Sequence, residues 1–562
     1  MATHKILKIA PANEALAKNL SKELGISALC AQLLINRGIS HPREAHNFLK
    51  PSLSALLDPF LFSDMKKAVA LINQAAKNKD RVLIYGDYDV DGVTALAILK
   101  GALLKKGLDV SHYIPHRIKE GYGLNKNILQ IAKEKKIKLL ITVDCGTSSH
   151  AEIAALKESG IEVIVTDHHQ ASATVLPSAG AILNPKLESC NYKYKDLAGV
   201  GVAFKLAQAL TADKLAQDLD LVSLGTIADV VPLTGENRVI AKEGLKRLTL
   251  AERIGIKALI ESSRLGDREI NSTFVSYILS PRLNASGRIA TAETALQLLM
   301  SENKEEAQEL AKNIESLNRQ RQKIEAGIME EAQSIIEAEV NFKEHKIMVI
   351  ARQGWHQGVL GIVASKLADR FYRPAIVISL SDGLCRGSGR SIKNFHLFQA
   401  LSECKKFLHS FGGHSHAVGL VVNKDNVGEF KNAINRFAQE KMTFEDLLPA
   451  IEIDMEIGLD VLNEKIAQEI DLLQPFGAGN PKPLFYTRNL KLKGEPQVLS
   501  RDTLKFWVSD GNTTCQAIAF GMASLKESLI NCDGLDLVYS PKIDAWRDES
   551  SIILEVEEIF LK

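Results

Sequence analysis

The sequence around residue 90 reads Asp87-Tyr88-Asp89-Val90-Asp91-Gly92. It directly follows the apolar run RVLIYG and precedes a helix-like run, VTALAILKGALLKKG. Loops at the carboxyl ends of strands form the ligand crevice of open α/β sheets, and alternating carboxylates there can converge on a hard cation. Gly92 suits a sharp turn into the helix. The spacing also resembles the start of a calcium-binding EF-hand loop. That loop needs a Glu at its twelfth position, and counting from Asp87 this chain has Ile98 there.

Two further acids repeat the arrangement. Asp144 closes KLLITV before Cys145-Gly146, and Asp167 closes IEVIVT before His168-His169. One such Asp reads equally well as a turn or helix cap. Three in succession, with paired His, argue for one acidic rim. Asp229 interrupts the apolar segment LVSLGTIADVVPL, where a carboxylate is costly unless paired, hydrogen-bonded or metal-bound. Carboxylates plus imidazole suit Mn²⁺ or Mg²⁺ better than zinc. Two such ions about 3.5–4 Å apart can activate water and stabilise the leaving oxygen of a phosphodiester.

The elements that must carry these residues are legible as alternating short apolar runs and amphipathic helices from Arg81 to Asp229. This is the pattern of βαβ units and a parallel sheet. Gly107 and Gly160 fall where those helices should stop. Five segments are expected: an N-terminal helical segment (1–75), a metal-binding α/β domain (76–300), a long bridging helix or helical pair (301–340), a second, smaller α/β domain (341–445), and an OB-like β-barrel (446–562). The bridge is rich in charge and good helix formers. The last segment holds short β-prone runs such as LKFWVSD and TCQAIAF.

A length of 562 residues suggests about three or four domains. With 46% hydrophobic and 24% charged residues, the chain reads as an ordinary globular protein. The net charge of +1 means that any basic binding surface is local and offset elsewhere. Seven scattered cysteines include no C-x-x-C pair, which excludes a disulfide framework or zinc pattern and fits a reducing compartment. No signal peptide or membrane-length apolar run is visible, so a cytoplasmic location is expected.

The ordered motifs GDYDVDG, VDCG and TDHH resemble the signature of the DHH phosphoesterase superfamily. The further motifs SLGTIADVVPL, SPRLNASGR, GWHQGVLGIVASKL, CRGSGRS and GGHSHAVG resemble its branch of single-strand-specific 5′→3′ exonucleases. The resemblance runs from about residue 80 to 420, and the tail is compatible with that branch's oligonucleotide-binding domain. It implies metal ligands at Asp89, Asp91, Asp144, His168 and Asp229, with His169 also catalytic and Asp87 and Asp167 in support. One departure is Tyr85, where many superfamily members have His. The resemblance further implies release of 5′-mononucleotides, a role in DNA repair and recombination, and a helicase and the single-strand-binding protein as partners. The alternatives are a phosphodiesterase of short oligonucleotides and a catalytically inactive nucleic-acid-binding protein.

Phosphate must be held by cations and backbone N–H groups. Gly412, Gly413 and His414 form one candidate cradle; Ser388, Arg390 and Ser391 form a second, which the resemblance supports. Arg282, Asn284 and Arg288 are further candidates, since arginines suit bidentate phosphate recognition. Trp355 and His356, before a helix start, divide evenly between core and substrate roles. Phe485, Tyr486, Arg488, Lys505, Phe506 and Trp507 mix aromatic and basic character as base-stacking barrels do. Strand alternation leaves about half of them facing outward.

Overall fold

A computed structural model describes residues 5–171, 175–499, 502–544 and 551–562. It divides into two compact units. The first is built mainly from Pro59–Asp229 and Lys246–Pro449, the second from Ile6–Asp58, Val230–Leu245 and Ala450–Lys562.

The first unit opens with a five-stranded, all-parallel sheet. Its strand order is Asp109–Tyr113, Arg81–Gly86, Ile137–Val143, Glu162–Thr166, Ala181–Leu183. The central strands are apolar along nearly their whole length because helices cover both faces of a parallel sheet. The crossover helices Val90–Lys105 and His150–Glu158 are each followed by a left-handed glycine, Gly107 (φ 78°) and Gly160 (φ 73°), at the expected stops. Helix Val90–Lys105 is buried on most sides, packed against helices Gly199–Thr211 and Leu219–Ala228.

The charged stretch that follows is one helix, Lys304–Glu339, of 36 residues, about 54 Å long at the α-helical rise. Its buried face runs from Ala307 to Ile336 and is polar in the middle: Arg321 bonds Glu325 at 2.7 Å and Asn318 at 2.6 Å. A second five-stranded sheet has the order Leu408–Gly413, Ala417–Asn423, Leu384–Arg390, Ala375–Leu380, Met348–Gln353. Helix Leu360–Phe371 covers one of its faces, and helices Leu397–Glu403 and Val427–Lys441 cover the other.

In the second unit, the six strands Met455–Glu456, Phe485–Leu499, Thr503–Ser509, Thr514–Phe520, Ser551–Leu561 and Leu535–Asp544 pair in that order. The last pairs back onto Phe485–Leu499 and closes a barrel. Ile6–Asp58 belongs here too, so the expected helical segment is divided between the two units. Strand Ile6–Ile9 pairs in parallel with Ala450–Ile453. Helix Ala28–Asn36 is tied to the barrel unit through Ser27 to Glu469 and Arg37 to Asp454 and Asn480. Helix Met65–Asn78 belongs to the first unit. The strand was invisible in the sequence because four residues, ILKI, carry little periodicity, and their partner comes more than 400 positions later. Val230–Leu245 likewise leaves the 76–300 stretch to pack in the second unit.

Candidate metal centre and phosphate pocket

Three neighbouring strands of the parallel sheet end in Asp87, Asp144 and Asp167, so the three carboxylates share one rim. Asp89 is the N-cap of helix Val90–Lys105, accepting from the Gly92 amide at 3.1 Å. Asp91 lies in that helix's first turn, where its two oxygens accept from the Gly199 and Val200 amides at 2.6 and 2.7 Å. Those amides open helix Gly199–Thr211, whose dipole suits a carboxylate. Asp229 arrives differently, as the C-cap of helix Leu219–Ala228 rather than inside a buried run, and is partly exposed.

Close approach dictates two glycines. A Cβ on Gly92 would lie 2.6 Å from the Asp87 carbonyl oxygen, and one on Gly199 would lie 2.7 Å from the Asp144 side chain. Gly92 is therefore needed for contact within a helix, not for a sharp turn. Asp144 itself holds φ 61°, left-handed and uncommon for a non-glycine. Such outliers cluster at functional sites.

The ligand atoms form three groups, each within 4.8 Å: Asp87, Asp89 and Asp144; Asp91, His168 and Asp229; Asp144, His168 and His169. His168 Nε2 lies 3.1 Å from Asp144 Oδ1, 3.6 Å from Asp229 Oδ2 and 3.7 Å from Asp91 Oδ2. Neither His168 Nε2 nor Asp144 Oδ1 makes an aligned hydrogen bond, and Asp87 Oδ1 also lacks a partner. Buried polar atoms are rarely left so. Atoms about 3 Å apart that point past one another are what ligands of a common cation look like: adjacent octahedral ligands at about 2.1 Å stand about 3.0 Å apart.

The electrostatics agree. Burial, followed by mutual repulsion with neighbouring acids, raises Asp87, Asp144 and Asp229 well above the usual carboxylate range and pushes Asp91 up to about 7. Burial, then His169, lowers His168 to about 3, leaving a neutral imidazole fit to ligate. Asp167 differs. Although burial pushes it up, it is held low by His169 and by the Thr147 amide; it bonds His169 Nδ1 at 2.8 Å and accepts from the His168 and His169 amides at 2.7 and 3.1 Å. These bonds suit Asp167 to bracing His169, while Asp87 stands among the candidate ligands. Tyr85 points elsewhere: its hydroxyl donates to the Gly123 carbonyl at 2.9 Å within the core.

Across the cleft, the His414 ring stacks on His169 with centroids 6.3 Å apart. Gly413, at φ 127°, takes a turn that a Cβ would block at 2.3 Å from the Ala417 oxygen. Arg288 donates to the Gly358 carbonyl at 3.1 Å, and its affinity for a proton is pushed down to about 9 by burial, then by Arg117 and Arg390. Arg390 and Ser388 sit side by side against Gly361. Burial, then Arg117, also lowers the proton affinity of Arg390, so the three arginines feel one another's charge and form a candidate anion pocket.

Other expected residues do not join it. Arg282 is engaged by Glu315 at 2.8 Å and the Ile278 carbonyl. Asn284 accepts from the Val90 amide at 3.2 Å and so braces the acidic helix. The Ser391 hydroxyl donates to the Phe395 carbonyl at 2.7 Å. Trp355 is core, donating to Glu331, and the His356 ring caps a helical turn at Gly358. In the barrel, Phe485, Tyr486 and Phe506 are buried, and Tyr486 donates to Asp536. They are not base platforms: Phe485 and Phe506 fill the barrel core, and Tyr486, on the opposite face, is covered in a cluster with Ile453 and Val538. Arg488 is exposed but paired with Glu456 at 3.0 Å. Trp507 is 46% exposed, with Lys505 two positions along the same strand face.

Sequence reasoning missed Arg117, Tyr122 and Arg386. The Tyr122 hydroxyl donates to the Asp144 carbonyl at 3.1 Å and lies 3.0 Å from His169 Nδ1. Arg386 reaches the Ile118 carbonyl at 2.7 Å. Arg117 and Tyr122 lie in PHRIKEGYGLN, a loop whose Arg, Gly and Tyr were the available signal.

An acidic rim on a parallel sheet, faced by a second α/β domain, defines a DHH-type phosphoesterase. The family model of the DHH N-terminal domain matches residues 81–226, that of the DHHA1 domain 344–440, and that of the RecJ OB domain 453–558. The single-stranded-DNA-specific exonuclease RecJ of Bacillus subtilis (strain 168) is 40% identical over 544 residues, covering 96% of this chain and 69% of its own. Among solved structures, RecJ from Thermus thermophilus in complex with Mn²⁺ superposes with a TM-score of 0.86 at 27% identity, covering 100% of this chain and 80% of that one. The same protein with Mg²⁺ gives 0.78 at 26%, covering 99% and 78%. The chain belongs to the RecJ family of single-stranded-DNA-specific exonucleases.

Proposed function

We propose that this protein is a divalent-metal-dependent exonuclease that digests single-stranded DNA from its 5′ end and releases 5′-mononucleotides. The carrying observation is the cluster of carboxylates around His168 in which the buried Asp87 Oδ1, Asp144 Oδ1 and His168 Nε2 lack hydrogen-bond partners. Asp89, Asp91, Asp144, His168 and Asp229 would hold two Mn²⁺ or Mg²⁺ ions, with Asp87 completing the Asp89–Asp144 group. Such ions, when bound, supply a water nucleophile at neutral pH and stabilise developing charge.

The chain's own groups do the rest. The Gly199 and Val200 amides fix both oxygens of Asp91. Burial alone would lower His169, but the bond to Asp167 outweighs it and the ring's proton affinity is raised. His169 is thereby suited to hold a proton near the 3′ oxygen that leaves. Water oxygen bonds to phosphorus, the P–O3′ bond breaks, and the proton ends on the 3′ oxygen. The shortened strand keeps a 5′-phosphate, so each turnover regenerates the same kind of end. Arg117, Arg288, Arg390 and Ser388 would hold that end, which makes the direction of digestion a property of the anion pocket. In the barrel, exposed Trp507 and the half-buried Lys505 on the same face offer single strands a stacking face and a cation.

A strand-specific enzyme needs strands, so a duplex-opening helicase and the single-strand-binding protein are its natural partners, in DNA repair and recombination. All seven cysteines are free, which supports a reducing, cytoplasmic setting. No helix among the described residues is long and apolar enough to cross a membrane.

The test is digestion of end-labelled single-stranded and duplex DNA with Mn²⁺, Mg²⁺ or chelator. Single strands should shorten from the 5′ end with either metal. Asp144→Ala should lose on the order of 10³-fold in rate while keeping most DNA binding. Full activity in chelator, or equal digestion of duplex, would refute the reading.

A further inference from the structure

Residues 114–127, between strand Asp109–Tyr113 and helix Ile128–Glu134, form neither helix nor strand, yet they bring two side chains to two stations of the site. Arg117 lies over the Tyr88 ring, 4.7 Å from its centroid, among the charges of the arginine pocket. Tyr122 spans the Asp144 carbonyl and His169 Nδ1. The Tyr122 ring is 52% exposed, so packing does not hold it there. Gly121 and Gly123 on either side both stand at φ 83°, a left-handed backbone that suits glycine. A long irregular segment has many conformations to lose, so specific contacts must select this one.

Those contacts centre on one half-buried carboxylate. Glu120 Oε1 accepts from the Tyr113 hydroxyl at 2.7 Å and from Asn125 Nδ2 at 2.8 Å, and Oε2 accepts from the His116 amide at 2.7 Å. The Glu120 amide in turn donates to the His116 carbonyl at 2.8 Å. One side chain thus ties together the last residue of the strand, the residue before Arg117 and the far end of the loop. Burial, then the bond to Glu120, push the Tyr113 hydroxyl up to about 12, so it stays a donor. Tyr85 completes the clasp from the sheet: its hydroxyl accepts from Asn125 Nδ2 at 3.3 Å and donates to the Gly123 carbonyl at 2.9 Å. Hydrogen bonds to a carboxylate are among the strong ones. None of these partners is a candidate metal ligand or phosphate contact, so the network's use lies in what the loop carries.

We propose that Glu120 is a positioning residue for the nuclease: by closing the loop on Tyr113, His116 and Asn125, it sets where Arg117 meets the strand's 5′-phosphate and where Tyr122 meets His169. This rests on the exonuclease reading above and adds a residue that acts only through others.

The experiment compares the parent with Glu120→Ala, Glu120→Gln, Arg117→Ala and the Glu120→Ala/Arg117→Ala double variant, on single strands bearing a 5′-phosphate or a 5′-hydroxyl. Glu134→Ala, which removes an exposed acid from the helix that follows, is the control and should match the parent. In Glu120→Ala, kcat/KM should fall about 100-fold on phosphorylated strands, the cost of misplacing a contact by about 1 Å. On hydroxyl ends it should fall only about tenfold, so the preference for phosphate disappears through KM. Glu120→Gln keeps the volume and an acceptor oxygen and should recover most of the loss. The double variant should show the same preference as Arg117→Ala, since residues that act as one unit do not add. A phosphate preference kept in Glu120→Ala, or effects on it that add in the double variant, would overturn the proposal. If Glu120→Ala shows no cooperative unfolding, Tyr113→Phe, which removes one of the three bonds to the carboxylate, decides: a weakened preference supports the clasp and a parental one defeats it. A second arm, trypsin digestion in chelator, needs no nuclease activity. The parent should resist cleavage after Arg117 and Lys126, and Glu120→Ala should be cut there; equal rates of cleavage defeat the clasp. If the parent itself digested no DNA, the exonuclease reading would fail, and the trypsin arm would still judge Glu120.

Discussion

At the scale of single residues, the site is a problem in placing like charges. Five carboxylates converge with His168, and burial raises most of them far above their ordinary range. A divalent cation bound among them would relieve that repulsion. Asp167 is the exception that braces: its hydrogen bonds hold it ionised, and it holds His169. Arg390 permits a sharp test of the anion pocket. The parent should prefer 5′-phosphorylated over 5′-hydroxyl strands by about tenfold, as loss of one charge-assisted contact implies. Arg390→Ala should abolish the preference through KM. A variant that kept the preference would remove Arg390 from phosphate binding.

At the scale of elements, helix Val90–Lys105 bears the heaviest constraint. It starts at Asp89, points Asp91 at another helix's N-terminus, and touches the Asp87 backbone through Gly92. A Cβ at 92 would lie between 2.6 and 2.8 Å from three Asp87 backbone atoms. Gly92→Ala should therefore cost about 1–3 kcal/mol by overpacking and displace two candidate ligands. A lowered thermal midpoint and a lost Mn²⁺-induced stabilisation would report both. Alternation decided the barrel strands: inward Leu504, Phe506 and Val508 left Lys505 and Trp507 outside. The aromatic count of LKFWVSD could not say which ring faced out until register was known.

At the scale of the whole molecule, the second unit is assembled from three separated chain segments. Arg238 ties them, donating to the carbonyls of Phe48, Leu472, Leu473 and Gln474 while its guanidinium lies 3.7 Å from the Phe48 ring centroid. Arg238→Ala strands those carbonyls and should cost about 3–5 kcal/mol, read as loss of the barrel's cooperative unfolding transition. Asp536 supplies a pH dependence. Burial pushes it up, but Lys562, the Asn489 amide and the Tyr486 hydroxyl outweigh burial, so its folded value lies below the usual range. Its contribution is complete above the unfolded value near about 4 and is lost as pH falls through the lower folded value. The stability gap between the parent and Asp536→Asn should therefore be widest at neutral pH and shrink in acid. A gap that widened in acid would reverse the assignment.

The sequence by itself determined the parallel sheet, the acids at the ends of its strands and the long helix, because strand and helix periods and the types of residue at strand ends are local. The ligand set came from the motifs' family resemblance, with Asp87 in support, and the fold groups Asp87 with Asp89 and Asp144. Only the tertiary structure decided which chemistry-bearing side chains were free. Arg282 and Ser391 were taken by internal partners, Phe485 and Tyr486 by the core, and the N-terminal strand by residues more than 400 positions away. Arg117 and Tyr122 acquire meaning only through residues brought to them by the fold. Partners, burial and open space are relations between distant segments, and no local pattern encodes them.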